Sequence, residues 1–61
     1  MQGARVLILN GRFKGVEGVC LGEDTGGCWA VSPDRHDEIL SLVLERDFAL
    51  LVDLSGDPLR N

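Results

Sequence analysis

ILSLVLERDFALLVDL, residues 39 to 54, is the stretch on which the fold depends. As strands, Leu40, Leu42 and Leu44 alternate with Ile39, Ser41 and Val43. Leu50, Val52 and Leu54 then alternate with Ala49, Leu51 and Asp53, and ERDF (45 to 48) is the short connection. As one helix, Ser41, Glu45, Ala49 and Asp53 form a thin polar stripe, and the rest of the circumference is apolar. A chain of 61 residues can hardly cover such a helix. Burial therefore favours two strands, with the helix as the alternative.

The residues before this stretch also read as strands. RVLIL (5 to 9) is short, β-branched at Val6 and Ile8, and stopped by Asn10-Gly11. VEGVCLG (16 to 22) is a second strand, and its two glycines imply bending or close backbone approach. EDTGG (23 to 27) is a turn whose paired glycines supply positive φ. CWAV (28 to 31) is a third strand, and SPDRHDE (32 to 38) is a polar loop opened by Pro33.

Composition bounds the function. Hydrophobic residues make up 44% of the chain, enough for a small core in one domain spanning 1–61, with 55–61 expected as a flexible C-terminal tail. Ten acidic against six basic residues give a net charge of −4, which argues against duplex DNA as the main ligand. No charged start leads into a long apolar run, and no run approaches the ~20 residues needed to span a bilayer. A soluble cytoplasmic protein without membrane contact is expected. A domain this small gains from a partner surface, so a homo-oligomer is also compatible with the sequence.

The stretch RVLILNGRFKGVEGVCLGE (5 to 23) resembles the KOW motif: a strand, a glycine-containing turn with basic residues, and a second strand. The matching residues are Val6, Ile8, Gly11, Lys14, Gly15, Gly18 and Val19. The likeness covers the first third of the chain and continues loosely into CWAVSPD. KOW motifs lie within small SH3-like β-barrels, so the resemblance implies an all-β fold: a small five-stranded SH3-like barrel with a short 3-10 turn before the last strand. ERDF followed by ALLVDL fits that place, so the resemblance favours strands at 39 to 44 and 49 to 54 over the single helix. The expected strands are 4–9, 16–22, 28–32, 39–44 and 49–54.

KOW domains occur in ribosomal proteins and transcription elongation factors, where the loops after the first strand often touch RNA or protein. This chain departs from the ribosomal pattern by being acidic and lacking a long basic tail. It also has no tyrosine, so the aromatic groove that grips proline-rich peptides is not expected.

Within that frame, Asn10, Arg12, Phe13 and Lys14 are the first candidates for partner or RNA binding. Arg and Lys can meet phosphates, and an exposed Phe can stack on an unpaired base. The competing reading folds Phe13 back to cap the barrel and leaves the bases as solvated charges. Trp29 is a further candidate as an interface anchor. Alternation places it with Val31, opposite Cys28 and Ala30, so a core-facing position competes with that role.

Cys20, Cys28 and His36 are possible metal ligands, because a hairpin centred near Asp24 would bring the cysteines together. They lack the tight Cys-x-x-Cys spacing of structural zinc sites, so two small buried thiols, with no metal and no cofactor, are expected. DRHDE (34 to 38) sets His36 among carboxylates, but no nucleophile is placed with it and no phosphate-binding glycine loop with a following Lys-Ser or Lys-Thr occurs. It reads as a solvated loop, and no catalytic residue is assigned.

Charge is asymmetric: Arg5, Arg12 and Lys14 lie early, whereas Asp34, Asp37, Glu38, Glu45 and Asp47 lie later. The expected function is a small non-enzymatic binding module that contacts a protein or ribonucleoprotein assembly through the 10–15 loop. The alternatives are direct single-stranded RNA binding, and a subunit of a small oligomeric enzyme with its site at the subunit junction.

Overall fold

The computed structural model describes residues 2–51. Five antiparallel strands form one curled sheet: β1 (Arg5–Ile8), β2 (Glu17–Glu23), β3 (Trp29–Pro33), β4 (Leu40–Leu42) and β5 (Phe48–Leu50). Their order is β4-β3-β2-β1-β5, a meander whose last strand returns to β1. The class is the all-β, SH3-like one expected, and no described residue lies in an α-helix. The last expected strand extended over residues 52–54, which lie outside the described residues, as does the tail at 55–61.

Alternation in each strand explains the curl. Val6 and Ile8 of β1 are buried, and their register partners Leu50 and Phe48 lie on the same side of β5. Cys20 pairs with Val31, and both are fully buried. Val6, Ile8, Phe13, Cys20, Val31 and Phe48 form the core, and Val16, Trp29, Leu40, Leu42 and Leu44 pack around it, while Leu50 is exposed. The sheet is a half-barrel, joined from β4 towards β5 by a lone parallel bridge between Leu44 and Phe48.

Two glycines in β2 permit this geometry. A Cβ on Gly18 would stand 2.5 Å from the Ser32 carbonyl oxygen and 3.0 Å from the Pro33 Cα, so β2 and β3 approach there as only glycine allows. Gly22 has φ of +135° beside a bulge that leaves Leu21 unpaired and exposed.

The 3-10 turn lies between β2 and β3, at Thr25–Gly27, rather than before β5. Asp24 caps it by accepting from the Thr25 N–H at 2.8 Å, and Gly26 and Gly27 take positive φ. Before β5, the Asp47 N–H instead donates to the Val43 carbonyl at 2.8 Å, and the Asp47 carboxylate accepts from the Val43 N–H at 3.0 Å. That reciprocal pair closes a wider loop than a 3-10 turn.

The register also separates the cysteines. The hairpin closes on Asp24 and Cys28, the Asp24 N–H donating to the Cys28 carbonyl at 2.8 Å. Its centre therefore lies beyond Asp24, and the bulge sets Cys20 against Val31. Both thiols are free, Cys20 buried and Cys28 half-buried.

Candidate functional site

The loop between β1 and β2 is built from two tight reversals. The Lys14 N–H donates to the Gly11 carbonyl at 3.1 Å, and the Val16 N–H donates to the Phe13 carbonyl at 2.9 Å. The Gly15 N–H closes the loop on the Ile8 carbonyl at 2.8 Å. Gly11 and Gly15, with φ of +85° and +89°, supply backbone turns that side chains resist. This geometry turns Phe13 inward until it is 8% exposed, while Arg12 and Lys14 stay in solvent. Phe13 therefore belongs to the core and does not offer its ring to a base. The Asn10 amide is engaged as well, donating to the Arg46 carbonyl and tying the loop to the segment before β5.

The loop between β3 and β4 starts beside it. The Asp34 N–H donates to the Glu17 carbonyl at 2.9 Å, and the His36 N–H donates to the Pro33 carbonyl at 3.3 Å. Arg35 sits inside that reversal with φ of +66°, a left-handed conformation unusual for a side chain of its size. Such a residue costs on the order of 1 kcal/mol that glycine would not.

The two loops are locked together across 26 residues or so of sequence. Phe13 and His36 meet edge to face, with ring centroids 4.7 Å apart and planes at 69°. Arg12 Nη2 reaches both carboxylate oxygens of Glu38 at 2.6 Å, and its guanidinium carbon lies 4.8 Å from the centre of the Phe13 ring. Beside this contact, Arg5 donates to Asp34 at 3.1 and 2.5 Å and to Glu17 at 3.2 Å. These pairs are exposed, so water screens them; they fix geometry more than they add stability.

The electrostatics follow the same pairs. The hydrogen bonds from Arg5 hold the Asp34 carboxyl below the usual carboxylate range, helped by the charges of Arg5 and Arg35 and opposed by desolvation. The Arg5 guanidinium is raised in turn, chiefly by Asp34 and then by Glu17. Arg46 lowers Asp47 by hydrogen bonding, with the Val43 N–H adding to the effect. At the opposite end, the Ser41 hydroxyl and then the Thr25 N–H lower Asp24.

Along the β3–β4 loop runs an open, shallow pocket of about 520 Å³, lined by Val19, Ser32, Pro33 and the run Asp34 to Asp37. Among the described residues, no group of His, Cys, Asp and Glu is arranged to hold a metal ion. Cys20 is inside the core, whereas His36 is exposed on the loop at the other end of β3 from Cys28.

Of the residues singled out in the sequence, Arg12 and Lys14 remain together in solvent. Asn10 ties the loop to its neighbour, and Phe13 is the hinge between the loop and the core. Trp29 is not brought to this end. It opens β3 opposite Glu23, packs half-buried against the core, and is separated from the loops by the length of the strand. His36, Glu38 and Arg35 complete the loop pair. Their partners Phe13 and Arg12 lie too far away in sequence for spacing to connect them, and no turn motif in SPDR announces a left-handed arginine. No family model, characterised protein or solved structure matches this chain.

Proposed function

We propose that the chain is a small KOW-like, non-enzymatic binding module that holds a protein partner at the end formed by the 10–15 and 34–38 loops. The observation that carries this reading is the interlock of those loops. Phe13 against His36 and Arg12 against Glu38 hold two exposed loops in one arrangement before any partner arrives. A surface ordered in advance loses less conformational entropy on association. The KOW resemblance of residues 5–23 supports the same end of the molecule, since it places contacts in the loop after the first strand.

A protein fits this surface better than RNA. The aromatic ring that would stack on a base is inside, and Arg12 is already paired with Glu38. The test is affinity capture with the tagged chain, with and without nuclease. The comparison variant is Arg12→Ala/Lys14→Ala, which leaves Phe13 and the core intact. A partner that survives nuclease and is lost with the double variant supports the proposal. Retention of every partner by the double variant would sink it, and capture that disappears with nuclease would move the reading to RNA.

A further inference from the structure

We infer that β4 accepts an added strand from a partner protein: an extended segment with apolar residues on its inner side and Lys or Arg on its outer side. The edge begins where the 34–38 loop ends, and strand addition there does not depend on the loop contact. β4 (Leu40–Leu42) is the last strand of an open sheet. Shortness alone limits this edge, since Leu-Ser-Leu carries no charge, proline or bulge. The Asp34 N–H donates to the Glu17 carbonyl just past the Gly18–Pro33 pair, so Ser32 turns its backbone groups to β2, while Val31 and Trp29 turn theirs to β4. Leu40 and Leu42, opposite Val31 and Trp29, therefore face β3, which leaves the Ser41 N–H and carbonyl on the open edge. Val43 points its groups the same way, but Asp47 takes both: its carboxylate accepts from the Val43 N–H, and its N–H donates to the Val43 carbonyl. The Ser41 groups have no partner among the described residues, so they are free to pair with an added strand.

Side chains and charge define the occupant. On the inner side, Leu40 and Leu42 are half-buried against the core, so apolar residues of an added strand would finish covering them. Ile39, 59% exposed just before the strand, is further apolar surface that a bound segment can cover. On the outer side, the Ser41 hydroxyl donates to Asp24, which brings that carboxylate to the middle of the edge. Asp37 precedes the strand and Glu45 follows it. Glu38 and Asp47 are held by Arg12 and Arg46, which leaves Asp24, Asp37 and Glu45 against Arg35 alone along this edge. That surplus of negative charge favours basic side chains and repels a phosphate backbone. It also disfavours a second copy of this chain, which would bring the same acids and a net charge of −4.

The experiment measures fluorescence anisotropy of a labelled peptide of alternating Val and Lys, with a Glu-for-Lys counterpart as the charge control. A residue opposite Ser41 shares its side of the sheet, so the Lys amides, and not the Val amides, should pair with Ser41. Methylation of the Lys backbone nitrogens should therefore weaken binding at least about tenfold, and methylation of the Val backbone nitrogens less than about threefold. Ser41→Pro removes the edge N–H and spares the bonds to β3, so it should weaken the peptide about tenfold. Ser41→Ala keeps that N–H and should stay within about threefold of the parent. The two methylated peptides decide the matter on the parent chain even where Ser41→Pro lowers stability. Absence of binding, equal effects of the two methylations, or equal binding of the Glu peptide would each overturn the inference. So would loss of the peptide with Arg12→Ala/Lys14→Ala, which would place it on the loops, or a dimer of the chain alone that Ser41→Pro dissolves, which would give the edge to a second copy.

Discussion

Replacing Phe13 separates its two possible uses most cleanly, because they predict opposite outcomes. A ring that stacks on a ligand can be removed with little effect on folding. A ring in the core cannot. Phe13 is 8% exposed and packs with Val6, Ile8, Cys20, Val31 and Phe48. Phe→Ala in a core typically costs ~3–5 kcal/mol, and Arg12 and His36 can partly close over the gap, so the lower end of about 3 kcal/mol applies. A single core in a domain this small rarely supplies more than ~3–5 kcal/mol, so Phe13→Ala should be largely unfolded at room temperature. Phe13→Leu keeps most of the apolar volume and should cost about 1 kcal/mol. With a urea slope of about 1 kcal/mol per molar for a small protein, its midpoint should fall by about 1 M. Trp29 is the chain's one tryptophan and packs against the same core, so its fluorescence reports unfolding without a label. Arg12→Ala is the control, with a change of no more than about 0.5 kcal/mol expected for an exposed side chain. A Phe13→Ala midpoint equal to that of the parent would refute the placement of this ring in the core.

Three further outcomes follow from the same structure. Gly18→Ala should destabilise by about 1–3 kcal/mol, because the new methyl meets the Ser32–Pro33 backbone rather than a movable side chain; urea titration measures it. Asp34, Asp24 and Asp47 have folded carboxyl pKa values below the ordinary 3.8. Their contribution is therefore complete above about pH 5 and is lost as pH falls through 3.8 towards the lower folded values. The urea midpoint should accordingly be level from neutral pH to about 5 and decline below it, and Asp34→Asn should flatten part of that decline. Among the cysteines, the half-buried Cys28 should react with a thiol reagent in the native protein, whereas Cys20 should react only on unfolding. Mass spectrometry of Cys28→Ala after brief labelling checks this: the fast modification should vanish.

Strand positions were legible because burial in a sheet has a period of two and each strand carries it. Val31 and Trp29 in β3 lie on the inner side their alternation indicated, whereas β1, apolar on both faces in sequence, buries Val6 and Ile8. The helix reading of 39–54 fails over the described part because Leu40 and Leu42 pair with Val31 and Trp29, while Phe48 returns to Ile8. Details of connection were less legible. ERDF was a connection only as far as Asp47, since Phe48 opens β5 and is buried opposite Ile8, and the connection's shape depends on the Asp47 carboxylate finding the Val43 N–H, which no local composition rule encodes. The cysteine juxtaposition failed for a related reason: the hairpin's centre lies beyond Asp24, and a single bulge at Leu21, beside Gly22, moves the register by a further residue.

The candidate site was legible in its residues and not in its state. Ten acids and six bases describe a net charge but not which bases remain available. Arg5, Arg12 and Lys14 all lie in the first 14 residues of the sequence, yet folding gives Arg5 to Asp34 and Arg12 to Glu38, while Lys14 stays exposed. The available charge is therefore set by the meeting of two loops, and that meeting is set by Phe13. The same ring that seemed to speak for nucleic-acid stacking instead anchors the loop that presents Lys14, by reaching into the core on one side and meeting His36 on the other. Its two neighbours then take different parts: Arg12 fastens the loops, and Lys14 stays exposed in solvent. The core imposes its order on this loop through Phe13, which explains why the loop's most conspicuous residue is the one least exposed.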